Sequence, residues 1–257
     1  MPDSPRMPDR PRFSVIIPFR NACDTLPATL ASLQAQTEPD WEALLVDDAS
    51  DDGSVALVQA AARKDARLRL LHDPCQDSAR GVAASRNLGI DTARGTYIAF
   101  LDADDLWLPA KLAAQRRTFE TGANIVFSSY RRIDRTGRSL GLVPAPARVN
   151  WADALAGNPI GCLTGAWRRS AFPDAHMPLL DMHEDYAFWL MLLRQGATAQ
   201  GLPEVLAEYR VRPKSSSANK LRAAKAVWDI LKLEGLSLRG RVSGFLRYAL
   251  RGVRQRL

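Results

Sequence analysis

Between residues 13 and 101 the chain alternates two hydrophobic patterns. Short, mostly apolar runs stand at residues 13–17, 41–46, 68–71 and 97–101. They are rich in β-branched and aromatic residues and read as buried strands, the first closed by Pro18. Between these runs the apolar positions recur at helical spacing. Leu26, Leu30 and Leu33 mark one helix, with Asp24 or Thr25 placed to cap it. Residues 54–66 fit a second, and Val82, Ala83, Arg86, Leu88 and Ile90 lie in a third. This alternation predicts βαβ units: an α/β fold with a Rossmann-like, mostly parallel sheet flanked by helices.

The rest of the chain is less regular. Residues 124–128 predict a fifth strand, 131–138 a basic turn around Gly137, 182–194 a helix, and 202–211 a strand. Residues 213–217 read as a linker, followed by a C-terminal helical extension at 218–233 and 241–257. The opening, MPDSPR then MPDRPR, carries a proline about every third residue and predicts a disordered leader over 1–12. The expected organisation is therefore a leader (1–12), one domain (13–212) divisible near residue 110, and a linker with terminal helices (213–257).

Composition narrows this little. Apolar residues make up 46% and charged residues 25%, which excludes wholesale disorder. No apolar run approaches the roughly 20 residues of a membrane span, and no signal-peptide pattern opens the chain, so a cytoplasmic location is expected. Cys23, Cys75 and Cys162 are widely spaced and odd in number, and His72, His176 and His183 form no zinc-protease pair. Disulfides and zinc chemistry are not expected. The net charge of +7 is concentrated: Arg239, Arg241, Arg247, Arg251, Arg254 and Arg256 fall in residues 239–257, which hold no acid. A basic tail on a nearly neutral body points to an acidic surface, such as anionic lipid, and not to nucleic acid. In that tail Val242, Phe245, Leu246, Ala249, Leu250, Val253 and Leu257 form one apolar stripe, weakened by Gly240, Gly244 and Gly252.

The candidate chemistry lies where strands end. Pro18-Phe19-Arg20-Asn21 follows the first, Asp47-Asp48-Ala49-Ser50-Asp51-Asp52-Gly53 the second, and Asp102-Ala103-Asp104-Asp105 the fourth. In a parallel α/β sheet, ligands bind beyond the carboxyl ends of the strands. Asp102 and Asp104 would face one way from an extended strand end, two hard oxygen donors suited to Mg²⁺ or Mn²⁺. Alone, such a D-x-D also fits a solvated turn.

In order and spacing, FSVIIPFRN, WEALLVDDASDDGS and GVAASRNLGIDTARGTYIAFLDADDLW resemble the family 2 glycosyltransferases of GT-A fold, strongly over residues 13–110 and more loosely to about 219. The resemblance implies a nucleotide-sugar half (13–110) and an acceptor half (111–212). Pro18, Phe19, Arg20 and Asn21 match the base-cradling turn, although many relatives have Tyr where Arg20 stands. Asp48 matches the residue that hydrogen-bonds the pyrimidine, and Arg80 lies toward the diphosphate. Asp102, Ala103 and Asp104 would contact the donor, with Asp102 and Asp104 as metal ligands. Asp105 would cap the turn into a helix starting near Leu108 and Pro109. Arg86 and Asn87 would serve helix packing and donor-site support.

By the same resemblance Asp185, with Glu184 as the alternative, is the general base, in the E-D pair that opens a helix. Either carboxylate equally suits a helix N-terminus through the dipole. His183 reads as structural, or as a metal or phosphate neighbour. Residues 161–166 would floor the acceptor pocket, Trp151 and Trp167 would pack the core or stack on sugar rings, and Arg212 stands where relatives often have His. The implied function is an inverting, metal-dependent transfer from a nucleoside-diphosphate sugar, a UDP-sugar by preference, to a glycan or lipid-linked acceptor of a bacterial cell surface, at the inner face of the membrane. A sugar nucleotidyltransferase or a non-enzymatic basic lipid-surface-binding protein are the alternatives.

Overall fold

The computed structural model describes residues 11–72, 79–211 and 220–254. Most of the leader, Cys75, Arg212, the 213–217 linker and residues 255–257 lie outside them.

The first half runs β1 (Phe13–Phe19), α1 (Leu26–Gln34), β2 (Trp41–Asp47), α2 (Ser54–Ala62), β3 (Leu68–His72), α3 (Val82–Thr92), β4 (Tyr97–Phe100), β5 (Leu106–Trp107) and α4 (Lys111–Glu120). Then follow β6 (Ile125–Ile133), β7 (Ser139–Val143), β8 (Arg148–Val149), α5 (Trp151–Ala154), a one-turn 3₁₀ segment (Cys162–Thr164), β9 (Ala166–Arg168), α6 (Glu184–Arg194), β10 (Ala199–Arg210), α7 (Lys220–Leu233) and α8 (Leu238–Arg254).

The described strands form one sheet in the order β3-β2-β1-β4-β9-β6-β10-β5, with β7 beside β6 and β8 beside β10. The pairs β1/β2, β1/β4, β2/β3 and β6/β10 are parallel, and only the short strands β5, β7, β8 and β9 run the other way. Side chains alternate between two cores. Val15 and Ile17 of β1 pack on one face of the sheet with Ala43 and Leu45, and Ile16 packs on the other with Leu44 and Val46. Burial on both faces is why these strands are apolar at consecutive positions.

Several boundaries differ from the sequence reading. β1 continues through Pro18 to Phe19, pairing with Val46 and Asp47 of β2. Its pairing with β4 stops at Ile16, so Pro18 sits where β1 has a neighbour on one side only and a missing donor is tolerated. The basic turn is shorter than 131–138: Arg131 and Arg132 belong to β6, and the turn closes from Asp134 to Gly137 before β7. Thr25 holds the N-cap position of α1 but makes no side-chain cap. The α6 helix starts at Glu184, because His183 takes a left-handed φ of 61° and ends the preceding loop.

The terminal helices are joined to the second half of the domain. Val227, Ile230 and Leu231 of α7 are buried in the same core as Tyr186, Phe188 and Trp189 of α6. Glu234 accepts a hydrogen bond from Trp151 Nε1 at 2.8 Å.

Candidate active site

The loop after β1 is tied to the loop after β2, and that loop to the start of α3. Asn21, in the left-handed region at φ 48°, donates from Nδ2 to Asp51 at 2.6 Å and accepts the Asp51 N–H at 2.9 Å. The Ser50 hydroxyl accepts the Asn21 N–H at 3.1 Å. Asp48 Oδ1 accepts the backbone N–H groups of Arg80 and Gly81, at 2.8 and 3.2 Å, just before α3. Gly81 has φ 89°, a conformation open to glycine, which lets its N–H turn onto that carboxylate. Asp48 and Arg80, 32 residues apart, are thus brought together. Pro18 and Phe19, expected in the base-cradling turn, are the buried last residues of β1, and Arg20 and Asn21 are the exposed pair that follows them.

The acidic turn after β4 is not an extended strand end. The Asp105 N–H donates to the Asp102 carbonyl at 3.0 Å, closing a β-turn over 102–105. Asp102 and Asp104 are nevertheless half-buried while Ala103 and Asp105 are buried, so the two expected ligands are the accessible members of the turn. The reason is the turn, with its inward residues fixed by packing. Asp105 does not cap the following helix either: its Oδ1 accepts the Arg210 N–H at 2.8 Å, tying the turn to the end of β10. Burial, with Asp102 and Asp104 adding to it, pushes the Asp105 carboxyl well above its usual range. Tyr209 is half-buried, and desolvation with Asp105, Asp104 and Asp102 nearby pushes it up to about 12.

Arg86 joins this turn to the second acidic pair. Its guanidinium is 3% exposed as a residue and donates to Asp102 Oδ1 at 2.6 Å and to Glu184 Oε1 at 2.7 Å. Asn87 exchanges hydrogen bonds with the Met177 backbone at 2.8 and 2.9 Å, holding the segment that leads to α6. Glu184 is therefore committed to Arg86. Asp185, the next residue, remains partly accessible and accepts from Asn158 Nδ2 at 2.9 Å. Burial, reinforced by Glu184, pushes the Asp185 carboxyl up to about 6. Cys162 lies among these groups, within the electrostatic reach of Arg86, Asp102, Asp185 and Glu184, and burial holds it well above the usual thiol range. It stays a thiol, adding no charge. His183 is half-buried, its Nε2 has no hydrogen-bond partner among the described residues, and burial lowers its pKa.

The floor beneath Cys162 is built from a direction the sequence did not indicate. Trp107 Nε1 donates to the Leu163 carbonyl at 2.8 Å. Lys111 Nζ and Gln115 Nε2 both donate to the Thr164 carbonyl, at 3.0 and 2.8 Å. Gly165 is required small by packing: a Cβ there would lie 2.5 Å from Trp189 Cζ2. Trp167 is core, as expected, at 1% exposure. Lys111 is fully buried, its Nζ 4.6 Å from the centroid of the Trp107 ring, and desolvation brings its pKa down to about 7. The folded state thus binds fewer protons than the unfolded chain between about pH 7 and the ordinary lysine range, so this group makes stability rise with pH across that window. Lys111→Met is expected to stabilise the protein by about 1–3 kcal/mol at pH 6 and by much less at pH 10. Denaturant unfolding at the two pH values checks this; an equal or opposite effect at both would contradict it.

Residues missed in the sequence are Asn158, Tyr130 and Lys111. Tyr130 lies close to the floor, its ring 3.4 Å from where a Gly161 Cβ would stand, and it meets Tyr209 edge to face at 6.3 Å. One signal was available: Arg86 sits on the same helical face as Ala83 and Ile90, and an arginine on a buried face calls for an acidic partner.

Residues 14–172 match the profile of Glycosyl transferase family 2. The chain belongs to this family. It is 36% identical over 251 residues to a Bacillus subtilis protein named as the teichuronic acid biosynthesis glycosyltransferase TuaG, covering 96% of this chain and 98% of that one. It is 32% identical over 242 residues to the Escherichia coli UDP-Glc:alpha-D-GlcNAc-diphosphoundecaprenol beta-1,3-glucosyltransferase WfaP, covering 93% of each. Among solved structures, the mannosyltransferase PcManGT from Pyrobaculum calidifontis, in complex with GDP-Man and Mn²⁺, superposes with a TM-score of 0.71 at 22% identity over 96% of this chain and 71% of that one. The sheet and its flanking helices are thus the GT-A arrangement, and the protein is a glycosyltransferase. This sets aside the nucleotidyltransferase and the non-enzymatic readings.

Proposed function

We propose that this family 2 glycosyltransferase moves a sugar, with inversion, from a nucleoside-diphosphate sugar to a hydroxyl of a lipid-linked glycan during assembly of a bacterial surface polysaccharide. The observation that carries the reading is the Asp102–Arg86–Glu184 bridge beside Asp185. It fixes a donor-side carboxylate and an acceptor-side carboxylate in one rigid unit, with the accessible carboxyl raised to about 6.

In this reading Asp185 accepts the proton of the acceptor hydroxyl as its oxygen bonds to the anomeric carbon. The bond from that carbon to the diphosphate oxygen breaks on the opposite face. A pKa near 6 leaves Asp185 ionised at neutral pH yet more basic than an ordinary aspartate, which suits a general base. Asn158 holds the carboxylate in place. Asp48, with the Arg80 and Gly81 N–H groups already on its Oδ1, presents the rest of its carboxylate toward the base-binding edge, with Arg20 and Asn21 alongside. A UDP-sugar is the preferred donor, since a carboxylate suits the uracil N–H and WfaP is named for UDP-Glc.

The accessible carboxylates Asp102 and Asp104 fit a divalent cation. They are hard oxygen donors in one turn, and no cluster of three or more ligating side chains occurs among the described residues, so donor phosphates and water would complete the shell. Mg²⁺ or Mn²⁺ bound there would offset the charge of the departing diphosphate. PcManGT is described with Mn²⁺.

The test is release of nucleoside diphosphate from UDP-glucose and related donors by the purified protein, with and without Mn²⁺. Asp104→Asn is expected to abolish turnover and to weaken Mn²⁺-dependent donor binding in calorimetry while leaving the fold intact. Full activity in EDTA, or normal activity of the folded variant, would overturn the metal role. Pyrophosphate as product would overturn the reaction.

A further inference from the structure

The arginine-rich C-terminal helix is not used by the site above. In the sequence its apolar residues read as one stripe; the structure divides them between two faces. On one face Phe245 meets Trp228 of α7 at 5.9 Å, Arg241 lies over the same ring at 5.4 Å, and Gly244 is buried so closely that a Cβ would stand 3.3 Å from Leu231. That face already has its partner. On another, Leu238, Val242, Leu246 and Leu250 recur every four residues and are 61, 43, 57 and 64% exposed. Ala249 is exposed beside them. Four large aliphatic side chains in line on a helix that is already docked are not explained by folding.

The surroundings of this stripe decide what fits it. Arg239 and Arg247 are exposed along its edge, and α8 carries five arginines and no acidic residue. A second copy of this chain would bring the same positive charge to the contact, whereas an anionic bilayer offers hydrocarbon for the stripe and phosphate for the arginines. No described helix is long and apolar enough to cross a membrane, so the geometry is that of a helix lying in the interface. The helix is also joined to the rest of the domain. α7, on which it packs, is buried against α6, and Arg222 of α7 reaches Asp181 at 3.4 Å, four residues before Asp185.

We propose that the Leu238–Val242–Leu246–Leu250 face of α8, flanked by Arg239 and Arg247, seats the enzyme on the surface of an anionic membrane. The use of such seating, presenting the site to a lipid-linked acceptor, rests on the function proposed above; the binding itself does not, and is measured without turnover.

The experiment is co-sedimentation of the full chain with vesicles of phosphatidylcholine alone or with phosphatidylglycerol, at low and moderate salt. Binding is expected only to the anionic vesicles and should weaken as salt rises. The triple variant V242S/L246S/L250S is expected to lose binding on the order of tenfold or more, and R239Q/R247Q to lose the preference for anionic lipid. All five side chains are exposed, so thermal unfolding of both variants should match that of the parent. Donor turnover on a soluble acceptor separates this proposal from the previous one: a variant that transfers normally but no longer sediments supports it. No sedimentation of the parent with anionic vesicles at low salt, or equal sedimentation of the triple variant, would overturn it. So would a concentration-dependent dimer that the triple variant abolishes in the absence of vesicle binding, which would assign the stripe to self-association.

Discussion

Asp185→Asn is expected to lose transfer by about 10²–10⁴-fold, the usual weight of a general base, while keeping affinity for the donor and gaining stability. The two effects share one cause. Burial raises this carboxyl to about 6, so at neutral pH the folded protein holds a charge that the surroundings disfavour. With the folded pKa above the unfolded one, stability is fully present below about pH 4 and declines as pH rises toward 6. Removing the charge should therefore add about 1–3 kcal/mol at pH 7.5 and nothing at pH 4. The Asn158 amide still finds an acceptor oxygen on the new side chain. In the parent enzyme, kcat/KM should fall about tenfold per pH unit below 6. Glu184→Gln is the control: it weakens a charge-assisted bond to Arg86 and should lower stability, with a smaller loss of transfer. If Glu184→Gln abolishes transfer and Asp185→Asn does not, the base has been assigned to the wrong carboxylate.

Arg86→Met should be the most destabilising single change at the site, by about 3–5 kcal/mol. That is the cost of leaving a buried ion without its partner. Glu184 is 8% exposed and has Arg86 as its close cation. Asp102 would be released at the same time, so the acidic turn should lose its fixed orientation toward α6 and donor affinity should fall. Arg86→Lys should recover little, because an ammonium cannot reproduce two divergent N–H bonds of 2.6 and 2.7 Å. The double variant R86M/E184Q should regain much of the lost stability, since no unpaired buried charge then remains, but not the transfer rate. Chemical denaturation of the three variants measures this. Additive losses in the double variant would show that Arg86 and Glu184 are not energetically coupled.

The order of strands and helices in the first half was legible because two-sided burial and helical spacing are local signals, and each is repeated several times between Phe13 and Phe100. The same residues located the acidic turns at strand ends, and with them the family. What the sequence by itself could not determine is how these carboxylates are paired. Asp102 and Glu184 are linked through Arg86, 16 residues from one and 98 from the other. No periodicity records such a pairing; it exists because α3 and α6 are both brought to the turn after β4. That apposition spends Glu184 on a salt bridge and leaves Asp185 accessible, a distinction invisible in the dipeptide. Tertiary structure likewise inserted β9 between β4 and β6, set Lys111, Gln115 and Trp107 under the 3₁₀ turn, and split the apolar side of α8 into a packed face and an exposed one. Helical spacing says that residues share a side of a helix. Only the neighbouring elements decide how much of that side is covered.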